Sequence, residues 1–144
     1  MTIVGPSSEV SKDKVSVEEF VAENHYNIIK SWWKKYGHPI IPLDHLSNIG
    51  FVSYIGDKPV GAYWLYTTNS AHCYVEHFVK NPDSTKDEYK ASFPFGIEMV
   101  CAVAKSLGYK TISTRIKRKA FQKIFQRQSF EVQVNNMSEL NRGL

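Results

Sequence analysis

Glu76 lies in the run Cys73-Tyr74-Val75-Glu76-His77-Phe78-Val79, a carboxylate enclosed by aromatic and branched side chains. Removal from water raises a carboxyl pKa toward neutrality, which is what a general base needs. His77 is a second proton carrier beside it, although a lone strand histidine more often serves structure. Strand alternation groups Glu76 with Tyr74 and Phe78, opposite Val75 and His77. On an exposed sheet face the same carboxylate would instead be a cross-strand ion-pair partner. His72, Cys73, His77 and Cys101 match no standard zinc spacing, and buried reduced thiols are the better reading of the two cysteines. The sequence has no Walker loop, nucleophile elbow or paired-histidine metalloprotease motif.

A second chemical feature is charge. Between Met99 and Phe130 the sequence carries eight basic residues (Lys105, Lys110, Arg115, Lys117, Arg118, Lys119, Lys123 and Arg127) and no acidic one. The rest of the chain then has ten basic residues against fourteen acidic, so the net +4 conceals a basic quarter on an acidic remainder. Such a quarter suits an anionic partner, whether nucleotide, nucleic acid or acidic protein, or else is a solvated lysine face. The aromatics Tyr63, Trp64 and Tyr66 suit core packing better than a base-stacking platform, and Trp32-Trp33 reads as helix-to-sheet packing.

These residues need elements to position them. At 144 residues the chain is expected to be one domain spanning 1–144, with residues 1–15 as a flexible or edge-strand N-terminus. Residues 5–14 read as an exposed connector. Ser16 to Glu19 reads as a capping box opening a helix through Val17, Phe20, Val21, Ile28, Ile29, Trp32, Trp33 and Tyr36, which Gly37-His38-Pro39 ends. A loop then runs to Asn48. Strands are predicted at Ile49–Ile55, Val60–Tyr66 and Ala71–Val79, joined by short turns into an antiparallel meander. The next helix ends at Gly108, and it starts either near Thr85, with Pro94 inside, or at Pro94 itself. A strand at Tyr109–Ile116, a helix at Lys119–Arg127 and a strand at Phe130–Val134 complete the order.

That order, with "AKSLGYKTI" leading through "RKAFQKIFQRQSFEV", resembles the second half of the GCN5-related N-acetyltransferases. Ala104, Gly108, Tyr109 and Ile112 match the family's A-x-x-x-G-[FY]-x-x-[IL]. Phe121, Phe125, Ser129 and Phe130 take the Ala, Tyr, Gly and Phe places of N-x-x-A-x-x-x-Y-x-x-x-G-F, and Gly56, Val60 and Gly61 match a G-x-x-V-G hairpin. Residues 49–134 are covered. The resemblance implies an α/β (α+β) fold, in which a mixed central sheet continues from the meander into β-α-β-α-β with helices on both faces.

It also implies an acyl-CoA-dependent N-acyltransferase that moves acetyl from acetyl-CoA, as co-substrate, to a small-molecule or protein amine. Glu76 or a water would be the base, and amides near Phe78, Val79 and Lys80 would polarise the carbonyl. The family's pyrophosphate loop [RQ]-x-x-G-x-[GA] aligns with Ala91 to Gly96, so Phe95 and Gly96 fall at the cofactor, with Lys86 or Lys90 replacing the missing cation and Arg118 adding charge. Pro94 at the central glycine place removes one amide donor. Phe125 has no hydroxyl to protonate a thiolate, so it would only line the cofactor, leaving Tyr109, Ser129 or a water as the acid. These departures support an alternative, a catalytically degenerate module whose basic 99–130 region holds an anionic partner. The small size resembles bacteriophage-encoded members of the family. A cytoplasmic location and a homodimer through an open sheet edge are further expectations. No apolar run approaches the ~18–20 residues that span a bilayer.

Overall fold

The computed structural model describes residues 2–7, 14–134 and 137–144, the first stretch as backbone alone. They form β1 (Thr2–Ser7), β2 (Lys14–Glu19), α1 (Ala22–Tyr36), β3 (Gly50–Ile55), β4 (Lys58–Tyr66), β5 (His72–Lys80), α2 (Lys86–Ser106), β6 (Thr111–Ser113) and α3 (Lys119–Arg127). The strands build one six-stranded sheet in chain order, antiparallel except for the parallel pair β5–β6. This is the mixed α+β sheet that the sequence implies, with helices on both faces. On one face Ile29, Trp32 and Trp33 of α1 cover Val52, Ala62, Trp64 and Val79. On the other, α2 and α3 cover Phe51, Tyr63, Leu65 and Val75.

The first helix starts later than the capping-box reading places it. Val15 and Val17 are both 2% exposed and share one face of β2, paired with Ile55 and Ser53 of β3. Branched residues alternating on a half-buried surface favour a strand over a helix, and that pattern outweighs the Ser16–Glu19 cap. Of the expected connector, residues 5–7 belong to β1, and 8–13 lie outside the described residues. α1 begins at Ala22 and is capped from within. The Val21 N–H donates to Nδ1 of the buried His25 at 2.9 Å, and His25 Nε2 lies 3.1 Å from the Tyr54 hydroxyl. At the other end Gly37 takes the left-handed conformation, φ 72°, as expected from Gly-His-Pro.

α2 runs unbroken from a cap at Thr85, with Pro94 inside it, so the earlier of the two expected starts is correct. Two glycines let it settle onto the sheet. A Cβ on Gly61 of β4 would strike the Phe93 ring, and one on Gly96 of α2 would strike the Tyr63 hydroxyl. Tyr63, Trp64 and Phe93 are at most 1% exposed, and full burial of such side chains stabilises the fold by about 1.5–3 kcal/mol each.

The chain's end differs from the expected pattern. The strand predicted over 109–116 is limited to Thr111–Ser113, and Phe130–Val134 forms no strand. Ser129 turns the chain at φ 67°, the Phe130 ring packs on Phe125 at 5.1 Å, and Val132 and Val134 remain exposed with no sheet neighbour. Among the described residues no helix is long and apolar enough to cross a membrane.

Candidate active site at the fork of strands β5 and β6

The parallel pairing of β5 with β6 stops at Tyr74–Ser113, while β5 continues to Lys80. Beyond that point the two chains part. β5 is irregular at the same place. Val79 pairs with Ala62 and Glu76 with Trp64, so β5 uses one residue more than β4 across this interval. His77 has a φ of 59°, a left-handed conformation that is costly for a side chain with a Cβ and marks the bulge. The bulge overturns the expected alternation. Phe78 turns to the α2 face, its ring 4.8 Å from Tyr63 and 5.4 Å from Phe125, whereas Glu76 shares the opposite face with Trp64.

Glu76 stands at the fork. Register continued from Tyr74–Ser113 brings Arg115 level with it, and Arg115 Nε donates to both carboxylate oxygens at 3.2 and 3.1 Å. Arg115 Nη1 also reaches Glu139 Oε1 at 3.2 Å. Burial pushes the Glu76 carboxyl above its ordinary value, and the Arg115 charge and hydrogen bonds pull against that shift. The ion-pair role weighed from sequence is therefore met by Arg115 from the neighbouring strand's extension. The His77 ring stands edge-on to Tyr66 at 5.6 Å, and burial followed by the Arg115 charge lowers its pKa.

The helix beyond β5 departs from the expected cofactor loop. Residues 91–96 are helical interior, two turns past the start of α2, so they form no phosphate loop. Gly96 serves close packing on Tyr63, and Phe95 packs near Val15, Ile55 and Val60. Lys90 is exposed on α2, and Val79 is buried against α1. The true N-terminus of α2 is closed by its own side chains. Thr85 Oγ1 accepts the Glu88 amide at 3.1 Å, Glu88 Oε1 accepts the Thr85 amide at 2.8 Å, and Lys58 holds that carboxylate at 2.9 Å. With Asp87 and Glu88 in its first turn, this terminus repels an anion.

Between β5 and the α2–α3 layer, Tyr63, Phe78, Phe125 and Phe130 meet Val75, Ile97, Val100 and Cys101 in packing that leaves no room for a water. Phe125 is thus a core residue. A cleft of about 120 Å³ opens instead where β5 ends, lined by Lys80, Tyr89, Arg118, Ala120 and Phe121. Tyr109, expected as an acid, is committed elsewhere. Its hydroxyl donates to the Thr68 carbonyl at 2.8 Å and accepts the Thr68 amide at 2.9 Å, tying the β4–β5 turn, ahead of β5 and away from Glu76, to the start of β6. Ser129 is exposed after α3. Of the basic quarter, Arg115 joins the Glu76 pair, Arg118 enters the cleft, and the other six are solvated. Sequence reasoning missed Arg115 as the partner of Glu76, although its place after β6 was the available signal.

The fold is that of the GCN5-related N-acetyltransferases. An aminoglycoside N-acetyltransferase, AAC(6')-Iy, solved with CoA, superposes with a TM-score of 0.64 at 16% identity over 91% of this chain and 97% of that one. A ribosomal-protein-alanine N-acetyltransferase from Brucella melitensis gives 0.63 at 14% over 90% and 99%. A transcriptional regulator from Bacillus halodurans gives 0.65 at 9% over 88% and 99%. No family model matches the sequence, and no curated protein matches it.

Proposed function

We propose that this chain is an acyl-CoA-dependent N-acyltransferase acting on an amine. The observation that carries the reading is the half-buried Glu76 carboxylate, set beside a bulge where two parallel strands separate. Desolvation gives Glu76 the affinity to hold the proton an attacking amine gives up, while Arg115 fixes its orientation. Amides next to the bulge, at Phe78 to Lys80, would serve as the backbone donors for a developing negative charge. Bound acyl-CoA would supply the acyl thioester. The residues fit that group in part: Lys80 and Arg118 suit a phosphate, whereas the capped start of α2 and the filled space around Phe125 offer it neither amides nor a slot.

The test is thiol release from acetyl-CoA across a panel of amines, together with the thermal shift acetyl-CoA produces. The native chain is expected to show both. Glu76→Gln should keep the shift and lose about 10²–10⁴-fold in turnover, the usual contribution of a general base. Neither shift nor turnover at millimolar acetyl-CoA would refute the reading. The alternative weighed from sequence, a binding module holding an anionic partner on its basic 99–130 region, would instead be marked by binding that weakens steeply with salt.

A further inference from the structure

We infer that the cleft between Lys80 and Arg118 is a binding site for a phosphate group, standing in for the helix terminus that α2 has closed. Lys80 ends β5 and Arg118 caps α3, so two separate elements aim their cations at one opening. The lining is Lys80, Tyr89, Arg118, Ala120 and Phe121, with no carboxylate among them. The carboxylates nearby are already engaged, Asp83 by Lys35 at 2.9 Å and Glu88 by Lys58 at 2.9 Å. Neither Lys80 nor Arg118 is in an ion pair among the described residues.

Each cation is also held in place. Lys80 Nζ lies over the Tyr89 ring at 4.8 Å and the Arg118 guanidinium over the Phe121 ring at 5.8 Å, contacts that orient the charges before any ligand arrives. Burial and the like charge of Arg118 both push the Lys80 ammonium below its ordinary pKa. An anion in the cleft would offset both effects. The 120 Å³ of the cleft far exceeds the ~10–15 Å³ that one water requires. The chemistry named is a phosphate mono- or diester, and its source is either the nucleotide part of an acyl-CoA or a free phosphate compound. In the first case the inference rests on the function proposed above.

Calorimetric titration of the full chain with CoA, dephospho-CoA and inorganic pyrophosphate at low salt separates these sources. Lys80→Met and Arg118→Gln should each weaken anion binding by roughly ten- to hundredfold, the value of a charge-assisted hydrogen bond. Lys80→Arg should restore most of it, and Lys123→Met, on the exposed side of α3, should change nothing. Melting curves of each variant confirm that it folds. Pyrophosphate bound through the pair, with CoA no tighter, supports the site and removes the acyl-CoA source. CoA bound equally well by all variants overturns the site and leaves the acyltransferase reading intact. No binding of any of the three overturns the site.

Discussion

Replacing Gly96 by alanine separates two accounts of this glycine, and they predict opposite signs. In an ordinary helix interior the change stabilises by about 0.8–1 kcal/mol, because alanine is the better helix former. Here the added Cβ would have to share space with the Tyr63 hydroxyl, the Tyr63 Cζ at 2.7 Å and the Ser53 Oγ at 3.0 Å. Tyr63 has nowhere to go: it is 0% exposed, stacked on Phe78 at 4.8 Å and on Phe51 at 5.9 Å. Moving it also breaks the buried 2.7 Å bond to Ser53. Overpacking costs about 1–3 kcal/mol and the stranded hydroxyl pair about 1–3 kcal/mol more, so after the helix gain the net loss is roughly 1–5 kcal/mol. For a chain of this size that lowers Tm by roughly 3–17 °C, read by circular dichroism. Tyr63→Phe in the same background should recover part of the loss, since it removes the nearest atom, and a double-mutant cycle measures the coupling. A neutral or stabilising Gly96→Ala would refute the packing argument and return Gly96 to a role in ligand binding.

Three further outcomes follow from the geometry. Thr85→Ala removes one side of the α2 capping box and should cost about 1 kcal/mol in urea unfolding, with Glu88→Gln in addition releasing Lys58. Tyr109→Phe should destabilise by about 0.5–3 kcal/mol, through the two lost bonds to Thr68, and leave any transferase turnover unchanged. His25 is held below its ordinary pKa of 6.5 by burial, which outweighs the attraction of Glu18. Below that pH the unfolded chain therefore binds a proton that the folded chain refuses. Stability is full above about 6.5, declines as pH falls, and levels off below the folded value. His25→Gln should flatten part of that decline in unfolding curves taken between about pH 8 and about pH 5, and an unchanged slope would show that His25 is not the group responsible.

The second half of the chain was readable because its signals are local. Gly56-Asp57 between alternating runs, Gly108 after an apolar helix and the 3.6-residue spacing of Phe121, Ile124 and Phe125 each act within a few residues. Residues 14–19 misled because a serine and a glutamate at capping distance mimic a helix start, while the partner that makes them a strand, β3, lies more than thirty residues on. The site was less legible for the same kind of reason. A bulge needs the register of two strands to be seen, so the sequence placed Phe78 beside Glu76 when His77 in fact turns it to the other face. The pairing of Arg115 with Glu76 depends on parallel register across thirty-nine residues. The family's glycine loop was sought around Gly96, yet that glycine answers to Tyr63.

The paired glycine contacts of α2 also set where this molecule can give. Phe93 fills the notch at Gly61 and Tyr63 fills the notch at Gly96, so helix and sheet are keyed to each other at two points, at helix positions one turn apart. A helix pinned at one point can roll or slide, but one pinned at two can do neither without unseating a buried ring. The meander and α2 therefore move as one plate. The side of the molecule that can yield is the other one, where β6 is only three residues long and α3 leans on the plate through phenylalanine rings. Hydrogen exchange should find this asymmetry directly, with slow amides across β3, β4 and α2 and faster ones from Thr114 to Ser129.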